Sequence, residues 1–327
     1  MIHRIPPGTR DVLPDEMREL RRMQNSLLEV FDGFNYDEIR TPTIEYADVV
    51  ERGDDRAAGS AYRFFDDRGE LLALRTDMTI PIARLVATRF GEVDPPYRLS
   101  YIANAYMAVT PQRAQMREFG HAGIELIGVP GAAGTAEVTQ VLSRSLDAVG
   151  LSDAVIGLGD ADVWSSILKD VGLDDETIER SSYALAGHDL VELSAILESS
   201  DRLSSAQVDE LIAVTQIRGG AEVLDQARRA DIAGPLFLGV LDEIQETFDA
   251  LSSQGVAGRV QIDLGLLRDL GYYSGSILEV YDPSVGQIIG GGGRYDGLMN
   301  RFGVDHAAAG FSLYVERIHM AQLEGGR

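Results

Sequence analysis

Apolar positions recur at helical spacing from about Asp15 to Phe31, where Leu20, Met23, Leu27, Val30 and Phe31 share one face. That spacing predicts a long amphipathic helix behind the turn-rich opening Pro6-Pro7-Gly8-Thr9-Arg10-Asp11. The pattern then turns extended. Tyr36–Glu45 reads as a strand ending around Pro42, and Leu71–Arg75 as a short apolar strand. Thr76-Asp77 follows as an N-cap for a helix through Ile80, Ala83, Arg84, Val86 and Ala87. Tyr97–Met107 and Met116–Gly128 read as the two strands of an antiparallel hairpin, joined by the polar loop Thr110–Gln115.

After Gly131 the texture changes. Thr135–Val149 is helix-patterned, and the stretch from about Asp160 to Gly255 is almost wholly so, poor in aromatics and rich in Asp, Glu, Ser and Ala. It reads as an inserted helical unit at about 160–255. Strand signals return at Arg259–Asp263, Ser276–Tyr281 and Gly286–Ile289, and a helix closes the chain around Tyr314–Leu323. Strands grouped together with helices to one side predict an α+β fold, an antiparallel sheet flanked by helices, rather than a doubly wound sheet.

Composition narrows the function classes. Of 327 residues 45% are hydrophobic and 25% charged, ordinary values for a soluble globular protein. With no run of 18 apolar residues and no apolar stretch at the N-terminus, the expectation is a cytoplasmic chain without membrane span or signal peptide. Cysteine is absent, which excludes disulfides, thiolate metal sites and thiol nucleophiles. The net charge of −23 opposes a grip on a nucleic-acid backbone, which needs a basic surface. Lys169 is the only lysine, so nearly every cation is an arginine.

Several short segments together carry a resemblance. Pro7-Gly8-Thr9-Arg10-Asp11-Val12-Leu13-Pro14 and Ile39-Arg40-Thr41-Pro42-Thr43-Ile44-Glu45 resemble the opening and first motif of histidyl-tRNA synthetases. Leu74-Arg75-Thr76-Asp77-Met78-Thr79 is similar to that family's segment contacting the amino group of histidine. Arg117-Glu118-Phe119 through Gly123-Ile124-Glu125 resembles the end of its second motif, and Leu267-Arg268-Asp269-Leu270-Gly271-Tyr272-Tyr273 its histidine-specific block. Gly291-Gly292-Gly293-Arg294-Tyr295-Asp296-Gly297-Leu298 and Gly310-Phe311-Ser312-Leu313-Tyr314-Val315-Glu316-Arg317 resemble its glycine strand and third motif. The matches run in order from residue 7 to residue 320, and imply a class II synthetase-like core.

Departures from the family matter as much. Its second motif begins with an arginine that clamps the α-phosphate of ATP, with a glutamate two residues later. Met107 and Val109 stand at those positions. A thioether donates no hydrogen bond to a phosphoryl oxygen, and losing such a group commonly costs several kcal/mol of transition-state stabilisation. The sequence also ends at Arg327, soon after the third motif, where a synthetase continues into an anticodon-binding domain; the expectation is that no such domain is present.

The amino-acid pocket is retained by the same resemblance. It implies that Asp77 pairs with the histidine ammonium, that Thr79 lies beside it, and that Glu125 accepts from the imidazole or ammonium. Arg117 and Arg268 would supply positive charge near the carboxylate, and Tyr272 and Tyr273 would wall the ring. His121 stands where the family has a glutamine, and Gly271 where it has an aspartate before the tyrosine pair, which implies an altered affinity. A chain of this kind resembles the regulatory subunit of short-form ATP phosphoribosyltransferase. The implied partners are the short catalytic subunit and free L-histidine, with a homodimer, built on the first motif, inside a hetero-oligomer; no cofactor and no tRNA are implied. Two alternatives stay open: a truncated synthetase paralogue that activates histidine for another acceptor, and an RNA-binding regulator on the same core.

Other features read more plainly. Gly290–Gly293 lacks the Lys-Ser or Lys-Thr of a Walker loop and reads as a strand end approached closely by a ligand. His121 and His188 have no second histidine at metal-ligand spacing. Asp54-Asp55, Asp66-Asp67 and Asp174-Asp175 read as solvated loop charges. Arg317, which meets an ATP phosphate in the synthetases, is left here as a relic or a structural group.

Overall fold

The computed structural model describes residues 4–54, 59–91, 93–109, 116–268 and 271–326. The loop Thr110–Gln115, Asp55 and the pair Asp269-Leu270 lie outside them. The amphipathic helix forms as α1 (Pro14–Gly33), started by the proline in its first turn and burying Leu20, Met23, Leu27 and Phe31.

The run expected as one strand divides in two. β1 (Asp37–Glu38) pairs in parallel with β5 (Tyr97–Tyr106), whereas β2 (Ile44–Tyr46) joins a different sheet. The chain between them is held by Arg75, whose guanidinium donates to the carbonyls of Thr41 and Pro42 at 3.1 and 3.3 Å. After α2 (Ala47–Gly53), β3 (Arg63–Phe65) and β4 (Leu71–Leu74) complete a small antiparallel sheet in the order β2-β4-β3. α3 (Thr79–Arg89) follows; its N-cap position falls on Met78, one residue after the expected Thr76-Asp77, and Asp77 Oδ1 accepts the Ile80 N–H at 2.9 Å in the first turn.

The hairpin β5–β6 (β6, Glu118–Ile127) forms in antiparallel register, Tyr97 opposite Ile127 and Tyr106 opposite Glu118. Next come α4 (Gly131–Ala148), β7 (Val155–Asp160) and the helical stretch: α5 (Asp162–Asp170), α6 (Asp175–Ala186), α7 (Leu190–Glu198), α8 (Ser205–Val214), the two-residue β8 (Arg218–Gly219), α9 (Glu222–Ala227) and α10 (Pro235–Ser253). The remainder is β9 (Val260–Asp263), β10 (Ser276–Tyr281), β11 (Ile288–Arg294), α11 (Asp296–Arg301), β12 (Ala308–Tyr314) and α12 (Val315–Glu324).

Among the described residues the main sheet has nine strands in the order β1-β5-β6-β12-β11-β10-β7-β9-β8. The expected antiparallel sheet forms its centre, and it is mixed rather than uniform: β1–β5 and β7–β9 are parallel pairs. The period-two alternation of the strands sorts side chains onto two faces. Ala122, Ile124 and Leu126 of β6, Phe311 and Leu313 of β12 and Leu278 and Val280 of β10 pack with α1, α4 and α10 in one buried cluster, which Trp164 of α5 also joins. The other face carries His121 and Glu125 of β6 and Gly310, Ser312 and Tyr314 of β12, beside a smaller cluster that includes Met78, Ile82, Tyr101, Tyr272 and Tyr295. The chemistry therefore sits on the thinner side of the sheet.

The paired acids are not uniformly solvated. Asp54 is 1% exposed and accepts the Gly271 N–H, because α2 and α11 enclose it; Arg301 of α11 donates to the carbonyls of Gly53 and Gly271. Asp174 caps α6 through the Thr177 N–H, and Asp66 accepts from the N–H groups of Arg68 and Glu70 in a tight turn.

Candidate functional site

A small cavity of about 50 Å³ lies on the second face of the sheet. Thr79, His121, Glu125, Arg268, Tyr272 and Tyr273 all line it, so six of the eight residues expected from the sequence converge from three separate segments. Tyr295, Ser312 and Tyr314 join them. Those three lie in the glycine-strand and third-motif segments, so the signal was present, although no single one of them stood out in the sequence.

Glu125 anchors the floor. It is 1% exposed, and its two carboxyl oxygens accept from Thr79 Oγ1 at 2.8 Å and from the Tyr295 hydroxyl at 2.6 Å. Burial pushes its pKa up to about 8, and the nearby charge of Asp77 adds to the rise, while the two hydroxyls oppose it. Glu125 is therefore mostly protonated at neutral pH. Asp77 itself is raised to about 6 by burial, against the hydrogen bond from Ile80. Asp77 does not line the cavity; its carboxylate is spent on the start of α3.

Arg268 reaches the cavity from the loop before the tyrosine pair. Its Nη1 donates to the Leu278 carbonyl at a long 3.4 Å, and its guanidinium lies 5.9 Å from the Tyr273 ring centre. Among the described residues it forms no ion pair; against burial, the nearby tyrosine hydroxyls and Glu279 charge, not a salt bridge, favour its charged form. The glycine strand provides its space: a β-carbon on Gly291 would overlap Arg268 Nη1. The expected close approach at these glycines is thus made within β11, not at its end, and by a side chain of the same protein.

The walls are aromatic. Tyr272 and Tyr273 lie 5.0 Å apart between ring centres, and Tyr272 meets Tyr295 edge-on at 6.2 Å. His121 is 6% exposed, and neither ring nitrogen has a hydrogen-bond partner among the described residues. Burial, with the charges of Arg268, Arg317 and Arg75 behind it, lowers its pKa to about 3, so the ring is neutral. It packs between Phe119 at 5.0 Å and Tyr314 at 5.1 Å.

Arg117 is placed elsewhere. Its Nε donates to the Val109 carbonyl at 3.0 Å and Nη1 to the Pro7 carbonyl at 3.4 Å, so it fastens the N-terminal turn to β6 and is absent from the cavity wall. The reason is local: Gly8, at φ +79°, brings the turn against the Arg117 side chain, and the Arg117 N–H donates to the Gly8 carbonyl at 2.7 Å.

Met107 and Val109 line a second, more open cavity of about 730 Å³, together with Phe119, Met116, Tyr314, Arg317 and residues of α1 and α12. Arg317 is engaged there: its Nη1 donates to the Ile288 carbonyl at 2.6 Å and its guanidinium lies 4.3 Å from the Tyr314 ring centre. Among the described residues no group of three His, Asp or Glu side chains can hold a metal ion, and no helix is long and apolar enough to cross a membrane.

The histidyl-tRNA synthetase family profile matches residues 8–318. An ATP phosphoribosyltransferase regulatory subunit of Moorella thermoacetica is 39% identical over 98% of this chain and 82% of its own length. One from Symbiobacterium thermophilum is 38% identical, over 98% and 80%. A solved ATP phosphoribosyltransferase regulatory subunit/histidyl-tRNA synthetase from Bacillus halodurans superposes with a TM-score of 0.90 at 30% identity, covering 98% of this chain and 83% of that one.

Proposed function

This chain belongs to the histidyl-tRNA synthetase family and, within it, to the ATP phosphoribosyltransferase regulatory subunits, and from that premise we propose that its small cavity beside Glu125 binds free histidine to control a short catalytic partner. As a regulatory subunit it serves histidine biosynthesis without a catalytic site of its own. The observation that carries the ligand reading is Arg268: a buried guanidinium in no ion pair among the described residues, at a cavity floored by the hydroxyl-bound Glu125 and walled by Tyr272 and Tyr273. An amino-acid carboxylate supplies that ion pair, in the bidentate geometry a guanidinium favours. Thr79, His121 and Glu125 then face the ammonium and imidazole groups, and Asp77 adds negative charge from behind.

A volume of about 50 Å³ holds one or two water molecules, so entry of histidine requires the lining to move. That movement gives histidine a means to favour one conformation of the assembly over another, which is the source of any feedback. Feedback inhibition by the pathway's end product is the regulation this predicts.

The second cavity supports the non-catalytic half of the reading. Met107 and Val109 replace the phosphate clamp, and Arg317 is turned onto a carbonyl and a ring. A homodimer within the hetero-oligomer has support in the small sheet. The pairing places Ile44, Tyr46, Phe64, Leu72 and Leu74 on one face, of which Ile44, Tyr46 and Phe64 are exposed. The same reading places the chain in the cytoplasm and assigns it no tRNA. The test is co-purification with the short catalytic chain, followed by calorimetric titration of histidine: binding with assembly is expected, and the absence of both heat and assembly would refute the assignment.

A further inference from the structure

Glu279 of β10 is a buried acid with no part in the site described above: it is 6% exposed and does not line the small cavity. Its place follows from the sheet register. Gly291 of β11 stands opposite Glu279 on one side and opposite Ser312 of β12, a cavity residue, on the other. Directly opposed residues share a face, so the three form one row across the sheet. Arg268 lies over the middle of that row, since a β-carbon on Gly291 would overlap its Nη1. The guanidinium is thus about 5 Å from the Glu279 β-carbon, the spacing of directly opposed side chains.

At that range a glutamate reaches a guanidinium by a change of rotamer. The two nevertheless form no ion pair among the described residues. The Glu279 carboxyl accepts instead from the hydroxyl of Tyr281, two residues along the same strand. Against burial, the Glu279 charge still helps the tyrosine hydroxyls to keep Arg268 charged. Asp263, a second acid near Tyr281, is taken up by Arg218 at 2.8 Å. One guanidinium therefore has the cavity on one side and the Glu279 carboxylate on the other.

Resting on the histidine reading of the cavity, we propose that Glu279 is a built-in competitor for Arg268, from which a ligand carboxylate must draw the guanidinium, and that the Tyr281 hydroxyl restrains it. Glu279 then acts on affinity without touching the ligand. It opposes ligands that carry a carboxylate and leaves an amino alcohol of the same skeleton unopposed. The competition raises the histidine concentration at which feedback sets in.

The test is calorimetry on the full chain with L-histidine and with L-histidinol, which has a hydroxymethyl group in place of the carboxylate. Glu279→Gln keeps the shape and removes the charge, so histidine binds at least about five-fold tighter, a like charge close to its carboxylate being gone. Histidinol binding does not tighten. Tyr281→Phe frees the Glu279 carboxylate, so histidine binds at least about two-fold more weakly, the loss of one hydrogen bond's restraint. In an Arg268→Met background Glu279→Gln shifts histidine affinity by less than about two-fold, because the coupling needs both residues. A merely structural Glu279 would lower the melting temperature and tighten nothing. Histidine binding that is unchanged or weaker in Glu279→Gln overturns this proposal alone. Should that variant fail to fold, wild-type affinity in Tyr281→Phe overturns it. A wild-type chain that binds no histidine instead removes the histidine reading, and this proposal with it.

Discussion

Gly310 holds open the space in which the Glu125 carboxyl lies: the two residues face each other across the β6–β12 pair, and a β-carbon on Gly310 would overlap Oε2. Glu125 cannot turn away without leaving Thr79 and Tyr295 unanswered in the interior.

Gly310→Ala is therefore expected to cost about 1–3 kcal/mol of stability through overpacking. It should also abolish histidine binding, because the floor of the cavity moves. Chemical denaturation and calorimetry of the same variant check both.

Glu125 also predicts a pH dependence. Between the ordinary carboxylate range and about pH 8 the folded chain keeps a proton on Glu125 that the unfolded chain has released. Stability from this group is full at low pH and declines as pH rises through that window. His121 acts oppositely. Its pKa falls from 6.5 to about 3 on folding, so it adds stability as pH rises toward 6.5 and contributes no further change above it. Asp77, raised to about 6, and Asp160, raised to about 7 by burial, act in the same direction as Glu125 but finish earlier. From about pH 7 to 8 the loss belongs mainly to Glu125, with a slope of up to about 1.4 kcal/mol per pH unit. Denaturation across that range should show the decline in the wild type and a flatter curve in Glu125→Gln.

Arg268 separates binding from stability. Replacing the Arg268 guanidinium, which makes one long hydrogen bond and no ion pair among the described residues, by an apolar side chain of similar length should change stability by less than about 1.5 kcal/mol. Arg268→Met should stay folded with at most a small change in stability yet lose histidine affinity by at least about ten-fold, the cost of a charge-assisted pair. A variant that binds histidine as tightly as the wild type would place the carboxylate elsewhere.

Asp77 has two tasks, which a pair of substitutions resolves. Asp77→Ala removes the acceptor of the Ile80 N–H and should cost about 1 kcal/mol. Asp77→Asn keeps that acceptor and removes only the charge, so it should retain stability and weaken histidine binding. Equal stability of the two variants would contradict the capping role.

The Met107 and Val109 substitutions predict that the purified chain gives no histidine-dependent ATP–pyrophosphate exchange. Measurable exchange would favour the truncated-synthetase alternative.

How far these features could be read from the sequence follows from how local their causes are. The β5–β6 hairpin and α1 were legible because alternation and helical spacing are carried by the residues themselves. Tyr36–Glu45 looked like one strand because the break depends on Arg75, more than thirty residues further on, reaching Thr41 and Pro42. Four consecutive glycines give no alternation to read, so β11 was placed too early and too short. Six of the cavity's side chains were legible through family motifs, whereas Tyr295, Ser312 and Tyr314 lay inside matching segments without standing out singly. Arg117 kept the motif but lies outside the cavity because Gly8 and Pro7 claim its side chain, a tertiary contact that no motif records. Asp54 looked solvated for the same reason, since its cover comes from Gly271 and Arg301.

The central claim is that histidine acts on the catalytic partner through this cavity, and it is tested most directly by transferase activity of the reconstituted complex with and without histidine, for the wild type and Arg268→Met. The prediction is a wild-type complex inhibited by histidine and a variant complex equally active but insensitive to it. Full histidine sensitivity in the variant, or none in the wild type, would contradict it.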